Sequence, residues 1–287
     1  MAQDGSAASK TRYAHLQDYL ESIFVARRAA RRAGRAVPGD ADSGDDAPVR
    51  IGEGAFRVLL REILDGTYPP GSAITPERTL AEHLGSNRGA VREAIKRLQQ
   101  AGVVVSRQGH GTRVLDYRQS GSMNLLDELL RSRDGRINTD VARNIIDLRL
   151  ALGTDAAGLA ALRATPAQAD ELESRALALP AREDDLEALE GAVAAFWMRV
   201  LDLSGNLLYR LVFNAMRDGY DRYLGLLRPL LAEEYRAFDE YRAIAAAVRR
   251  GNAQAARERA GVVLGLGAHV MCYVMDWVDE RRRQAGD

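Results

Sequence analysis

The chain has a single cysteine, Cys272, which rules out a disulfide framework within it and fits a reducing compartment. It also has no net charge: 40 Lys and Arg stand against 40 Asp and Glu, so any surface for nucleic acid must be local. No uninterrupted apolar run reaches the ~18 residues of a membrane span. The N-terminus has no apolar segment of the signal-peptide kind after its basic residues. A cytoplasmic protein with no membrane partner is therefore expected. Histidines number four, and the sequence shows no paired His ligands, no Ser–His–Asp order and no phosphate loop. No catalytic residue, no cofactor and no enzymatic activity are expected.

What is present is apolar residue in quantity, 46%, enough for a sizeable core and for more than one domain. Residues 1–50 read as an N-terminal helical extension followed by a linker. Leu16, Leu20, Ile23 and Phe24 recur at helical spacing, a basic tail (Arg27, Arg28, Arg31, Arg32, Arg35) follows, and "AVPGDADSGDDAPV" has the composition of a flexible acidic linker. Phe56, Leu59, Leu60, Ile63 and Leu64 mark a further helix, and "GTYPPGS" is a turn. Thr75 reads as an N-cap with Pro76 at the first helical position, and Ser86 or Asn87 caps the next helix. That helix turns Val91, Ile95 and Leu98 inward and stops at Gly102. "VVVSR" and "TRVLDY" are β-type runs joined by the tight turn "QGHG". Residues 118–137 form a connection that includes a short helix in "SGSMNLLDELL". From 138 to the end, five or six long helices are punctuated by Pro166, Pro180, Gly205, Pro229 and Gly251–Asn252. The fold class is mainly α: a winged helix-turn-helix over 51–117, then an all-helical bundle over 138–287.

The order short helix, turn, helix, hairpin has a chemical reading. A helix-turn-helix places the start of its second helix in the major groove. Arg88 and Arg92 lie four residues apart on that first turn, and a guanidinium fork pairs with guanine O6 and N7. Gly89 and Ala90 leave room for the backbone to approach. Arg78 and Lys96 are phosphate candidates, and the hairpin tip from Gln108 to Gly111 reaches toward the minor groove or a phosphate. His110 taken singly reads as a loop residue. Over residues 52–115 nine Lys or Arg stand against six Asp or Glu, a local excess of the sign DNA requires.

The segment "PPGSAITPERTLAEHLGSNRGAVREAIKRLQQAGVVVSRQGHGTRV" resembles the winged helix of the GntR superfamily of bacterial transcription regulators. The "PPG" turn, "ER…LA…LG", "R…VREA…L…G" and "GHGT" carry the resemblance. It implies DNA contacts from Arg78, Arg88, Arg92, Gln108, Gly109, His110 and Gly111, and members often have Thr where Gly89 stands. With Asn87, Gly89 and Lys96 these make up the candidate DNA-contacting set.

"DLRLALGTDAAGLAA", "FWMRVLDLSGNLLYRLVFNAM" and "RAIAAAVRRGNAQAARERA" resemble the effector domain of the FadR subfamily. The common form of that domain holds a divalent ion with an Asp and three His. The corresponding positions here are Val193, Trp197, Tyr241 and Val263, so no metal is expected. "SGSMNLLDELL", "SGNLLYRLVFNAMRDGYDRY" and "GLGAH" (265–269) resemble the metal-free, long-chain acyl-CoA-responsive members. That resemblance implies Arg149 as an anion-pairing residue and Gly265 and Gly267 as positions of close approach. It also implies Tyr220 or Tyr223 as polar groups and Met271 beside an acyl chain. The residues admit plainer readings too: Arg149 paired with Asp147 or Asp155 or with a neighbouring helix, "GLG" as a helix crossing, the tyrosines as core. The resulting expectation is a homodimeric repressor or dual regulator of fatty-acid metabolism, bound to a pseudo-palindromic duplex operator and modulated by acyl-CoA. The alternatives are a regulator responding to a small organic acid, and an acyl-CoA-binding protein with a vestigial DNA domain.

Overall fold

The computed structural model describes residues 16, 17, 19–23, 25, 51–107, 111–131, 136–220 and 223–285. Phe24, the basic tail, the acidic linker and the hairpin-tip residues Gln108, Gly109 and His110 lie outside the described residues. The chain divides into two compact units. One is drawn from Asp42–Ile137, and the other joins the described part of Met1–Ala41 to Asn138–Asp287.

The first unit packs α1 (Ile51–Leu64), α2 (Glu77–His83) and α3 (Arg88–Gln100) against a two-stranded antiparallel sheet, β1 (Val104–Arg107) and β2 (Gly111–Val114). Its core is the set the periodicity picks out: Phe56, Leu59, Leu60 and Ile63 of α1 against Val91, Ala94, Ile95 and Leu98 of α3. The helix α2 begins one residue later than expected. Pro76 is its N-cap, and the Thr75 hydroxyl instead meets the Tyr68 hydroxyl at 3.0 Å. Asn87, not Ser86, caps α3. Where α3 ends, Gly102 adopts φ +74°, and a side chain there would overlap the Ser120 carbonyl oxygen. The connection after the wing is not one helix. It is α4 (Tyr117–Ser120), a 3-10 turn (Met123–Leu125) and α5 (Leu126–Leu129), because the extended backbone at Gly121 and Ser122 breaks the helical path.

The second unit is a helical bundle of α6 (Thr139–Arg163), α7 (Pro166–Ala178), α8 (Leu186–Leu203), α9 (Leu207–Tyr220), α10 (Leu224–Leu227), α11 (Ala232–Tyr235), α12 (Phe238–Arg249) and α13 (Ala253–Ala285). The punctuation residues act as expected. Pro166 opens α7 behind a capping box of Thr165 and Gln168, and Gly205 and Gly251 take positive φ after α8 and α12. The buried face of α6 is nearly all small (Gly153, Ala156, Ala157, Ala160, Ala161), which lets α13 lie close along it through Ala256, Ala260, Val263 and Leu264. An 18-residue window of α13 has a mean hydropathy of 1.5, long and apolar enough by composition to cross a membrane, but interrupted so that no single apolar run reveals it. Its apolar face packs on α6 and α12, which makes α13 a core helix of the bundle.

The described N-terminal residues are helical and belong to this second unit. Leu16 and Leu20 are buried, the Gln17 amide donates to the Tyr273 hydroxyl at 3.1 Å, and the Tyr19 hydroxyl donates to the Leu226 carbonyl at 3.0 Å.

Candidate nucleic-acid interface and effector site

The first turn of α3 stands free of the core because the helix is anchored one face down. Val91, Ala94, Ile95 and Leu98 are buried, whereas Arg88, Gly89 and Arg92 are exposed. The Asn87 side chain accepts from the Ala90 amide at 2.9 Å and so fixes where the helix begins. Replacing Asn87 with Ala should cost about 1 kcal/mol by leaving that amide without its cap, read as a lowered denaturation midpoint of the first unit.

Charge is distributed unevenly over the unit. Arg97 stacks 4.0 Å from the Phe56 ring centroid and pairs with Glu53, and Arg57 and Arg61 pair with Glu128. These cations are engaged inside the unit. Among the described residues, Arg78, Arg88 and Arg107 are exposed and face no carboxylate. Lys96 has only Glu93 at 3.8 Å. Arg107, at the end of β1, is a phosphate candidate that periodicity alone passes over. Arg92 is different: its guanidinium donates to Glu77 at 2.9 Å, and that hydrogen bond pushes its pKa up further. Glu77 of the "ER" pair thus holds Arg92 across the turn between the two helices.

The hairpin is rooted rather than hanging. Ser106 and Thr112 hydroxyls meet at 2.8 Å across it, and the Ile74 amide donates to Thr112 while the Val114 amide donates to Ser72. Arg113 donates to the Gly71 carbonyl at 2.9 Å, so the "PPG" turn braces β2. Gly111 starts β2 with φ +74°.

In the bundle, Arg149 of α6 is paired with neither Asp147 nor Asp155. It grips Glu234 of α11 with both guanidinium arms, one at 3.0 Å and the other a shorter contact to Oε1. The Glu234 side chain is fully buried and that of Arg149 is 24% exposed. Asp155 is taken by Tyr209 at 2.9 Å and by Arg257 at 3.1 Å. At Gly267 the group that approaches closely belongs to the chain itself, since a Cβ there would overlap the Glu234 carboxylate; at Gly265 the space is open. Tyr223 is buried and Met271 half-buried, and the side chain of Tyr220 lies outside the described residues.

The positions that correspond to a metal set hold Val193, Trp197, Tyr241 and Val263, all buried. The Trp197 and Tyr241 rings pack edge to face with each other and with Phe196. Two apolar side chains, an indole and a phenol do not fit a divalent ion. The Tyr241 hydroxyl and the Trp197 Nε1 are both buried without a hydrogen-bond partner of good geometry. Burial drives the Tyr241 pKa well up and the Glu234 charge adds to this, while the nearby indole N–H pulls the other way.

A winged helix with its recognition turn exposed, followed by a helical bundle with a buried charged centre, defines a ligand-responsive DNA-binding regulator, not an enzyme. The chain belongs to the gntR family of bacterial regulatory proteins, matched over residues 52–114, and carries the FCD effector domain of the FadR subfamily, matched over residues 144–264. It is similar to the HTH-type transcriptional regulator Mce2R of Mycobacterium tuberculosis, with 37% identity over 75% of this chain and 89% of that protein. Similarity to the fatty acid metabolism regulator protein of Yersinia pestis is more distant, 29% identity over 58% of this chain and 68% of that one. Among solved structures, Streptococcus agalactiae GntR aligns with a TM-score of 0.41 and 24% identity, over 76% of this chain and 98% of that chain. The Listeria monocytogenes regulator Lar aligns at 0.47 and 16%, over 78% and 97%.

Proposed function

We propose that this regulator is a cytoplasmic homodimer that binds a pseudo-palindromic operator and leaves it when an acyl-CoA-type effector occupies the helical bundle. The exposed, capped first turn of α3, with Arg88 free among the described residues, carries the DNA-reading half of this proposal. Two such turns would address half-sites ~34 Å apart. Arg88, Arg92 and Gly89 would face bases, and Arg78, Lys96 and the wing would face phosphates. The effector half rests on the poor fit of the bundle to a metal and on the sequence likeness to a fatty acid metabolism regulator. The genes controlled would then be those of fatty-acid metabolism. Residues 121–136, which follow the wing in the chain, would transmit the change of state. A hundredfold loss of operator affinity requires an effector preference of ~2.7 kcal/mol for the released state, an ordinary coupling.

A titration of operator binding with saturating oleoyl-CoA should show that loss by fluorescence anisotropy. Unchanged affinity would sink the acyl-CoA reading. A second reading, a small organic acid as effector, is favoured by the partly buried Arg149 at the charged centre, whose guanidinium suits one carboxylate. Calorimetric titration with acyl-CoA against short carboxylates separates the two.

A further inference from the structure

Glu234 has no obvious structural need to be charged. It sits on a one-turn helix, its side chain is wholly buried, and among the described residues its ion pair is with Arg149. Burying such a pair costs more desolvation than an apolar pair of similar size, so its retention calls for another explanation. The surroundings supply one. The carboxylate lies against α13 at Gly267, where any side chain would displace it. Tyr241, on α12, is close enough that both charges of the pair act on its hydroxyl. The Tyr241 hydroxyl and the Trp197 indole N–H are buried beside it with no hydrogen-bond partner of good geometry. This centre therefore contains a guanidinium already holding a carboxylate, with a phenol hydroxyl and an indole N–H beside it whose only mutual hydrogen bond is poorly made. This is the donor set of an anion site in which one anion is part of the chain.

We propose that Glu234 is an internal competitor for the effector: its carboxylate occupies Arg149, and an anionic effector binds by exchanging its own carboxylate or phosphate for that of Glu234. The exchange expels Glu234 together with the short helix α11, so that binding moves the connection between α10 and α12. A neutral ligand of the same shape cannot drive it. The inference rests on the reading of the helical unit as effector-binding and specifies the effector's chemistry there. It assigns Glu234 a role as specificity-determining residue and Gly267 a role as the seat that makes the competition possible.

The test is a thermal-melting experiment on the full chain without DNA, with sodium octanoate, octanoyl-CoA and methyl octanoate as probes. Glu234→Gln keeps the shape and removes the competing charge. The variant should melt below the unsubstituted chain because Arg149 loses its counter-charge. Octanoate, octanoyl-CoA or both should restore its melting temperature at concentrations at least ~10-fold below those the unsubstituted chain requires. Methyl octanoate should have no such effect. Restoration by octanoate alone identifies a carboxylate as the exchanging group, and restoration by octanoyl-CoA alone identifies the phosphate-bearing carrier; either supports the exchange. Gly267→Ala supplies a second route, pushing Glu234 off its seat without altering it, and should acquire the same anion response. The proposal is overturned if neither variant responds to an anion, if methyl octanoate acts equally, or if both variants fail to fold. The readout involves no operator, so an operator affinity that ignores acyl-CoA would refute the regulatory proposal while leaving this result to stand or fall separately.

Discussion

Arg88→Ala combined with Arg92→Ala is expected to abolish specific operator binding and to leave the fold intact. Each arginine that forks onto a guanine contributes roughly 5- to 150-fold in discrimination, so the pair together should cost at least about 25-fold in specific affinity. Both side chains are exposed, and Arg92 pairs at the surface with the exposed carboxylate of Glu77, so the melting profile of the first unit should barely move. Binding to random duplex DNA should fall much less, because Arg78, Arg107 and Lys96 remain to meet phosphates. Competition titrations against specific and random duplexes at fixed salt check this. Equal losses on both duplexes would reassign the two arginines to the phosphate backbone.

Gly102→Ala should be the most damaging single methyl in the DNA-binding unit. The position lies at φ +74°, a left-handed conformation that costs an L-residue ~1–2 kcal/mol. The new Cβ would also overlap the Ser120 carbonyl oxygen, and backbone cannot rotate away as a long side chain can. The same junction is tied by the Ser120 hydroxyl donating to the Gly102 carbonyl at 2.7 Å and the Ser122 amide donating to Ala101 at 3.1 Å. Relief of the overlap would separate α4 from the end of α3. A total near 3 kcal/mol is expected, equivalent to a fall of roughly 12–24 °C in the melting temperature of a unit this size. Differential scanning calorimetry of the full chain should show the first unit melting early while the helical unit keeps its transition. An unchanged first transition would refute the argument.

Local chemistry carried most of what could be read in advance. The capped helix at Asn87, the inward triplet Val91, Ile95 and Leu98, and the hairpin all follow from residues within a few positions of one another. So do the proline and glycine stops in the bundle. The pairings that needed distance were invisible. Arg149 could be seen as a cation on an apolar helix with a neighbouring helix among its possible partners, but that the partner is Glu234, 85 residues on, could not be read from the sequence. Arg92 and Glu77 meet across 15 residues, a separation set by the turn between two helices and not by any period. Of the two glycines read as close-approach positions, Gly265 has open space beside it, and only the fold tells that the approaching group at Gly267 is a carboxylate of the same chain.

The membership of residues 16–25 in the second unit bears on the order of events at the ribosome. Gln17 and Tyr19 find their partners 256 and 207 residues later. The winged helix between them has all its contacts available as soon as it emerges and can fold first. Gln17 must therefore wait until Tyr273 leaves the exit tunnel, and the contacts of Gln17 and Tyr19 are made long after those of the winged helix. A protease pulse during refolding should still cut around Gln17 and Tyr19 after the DNA-binding unit has become resistant.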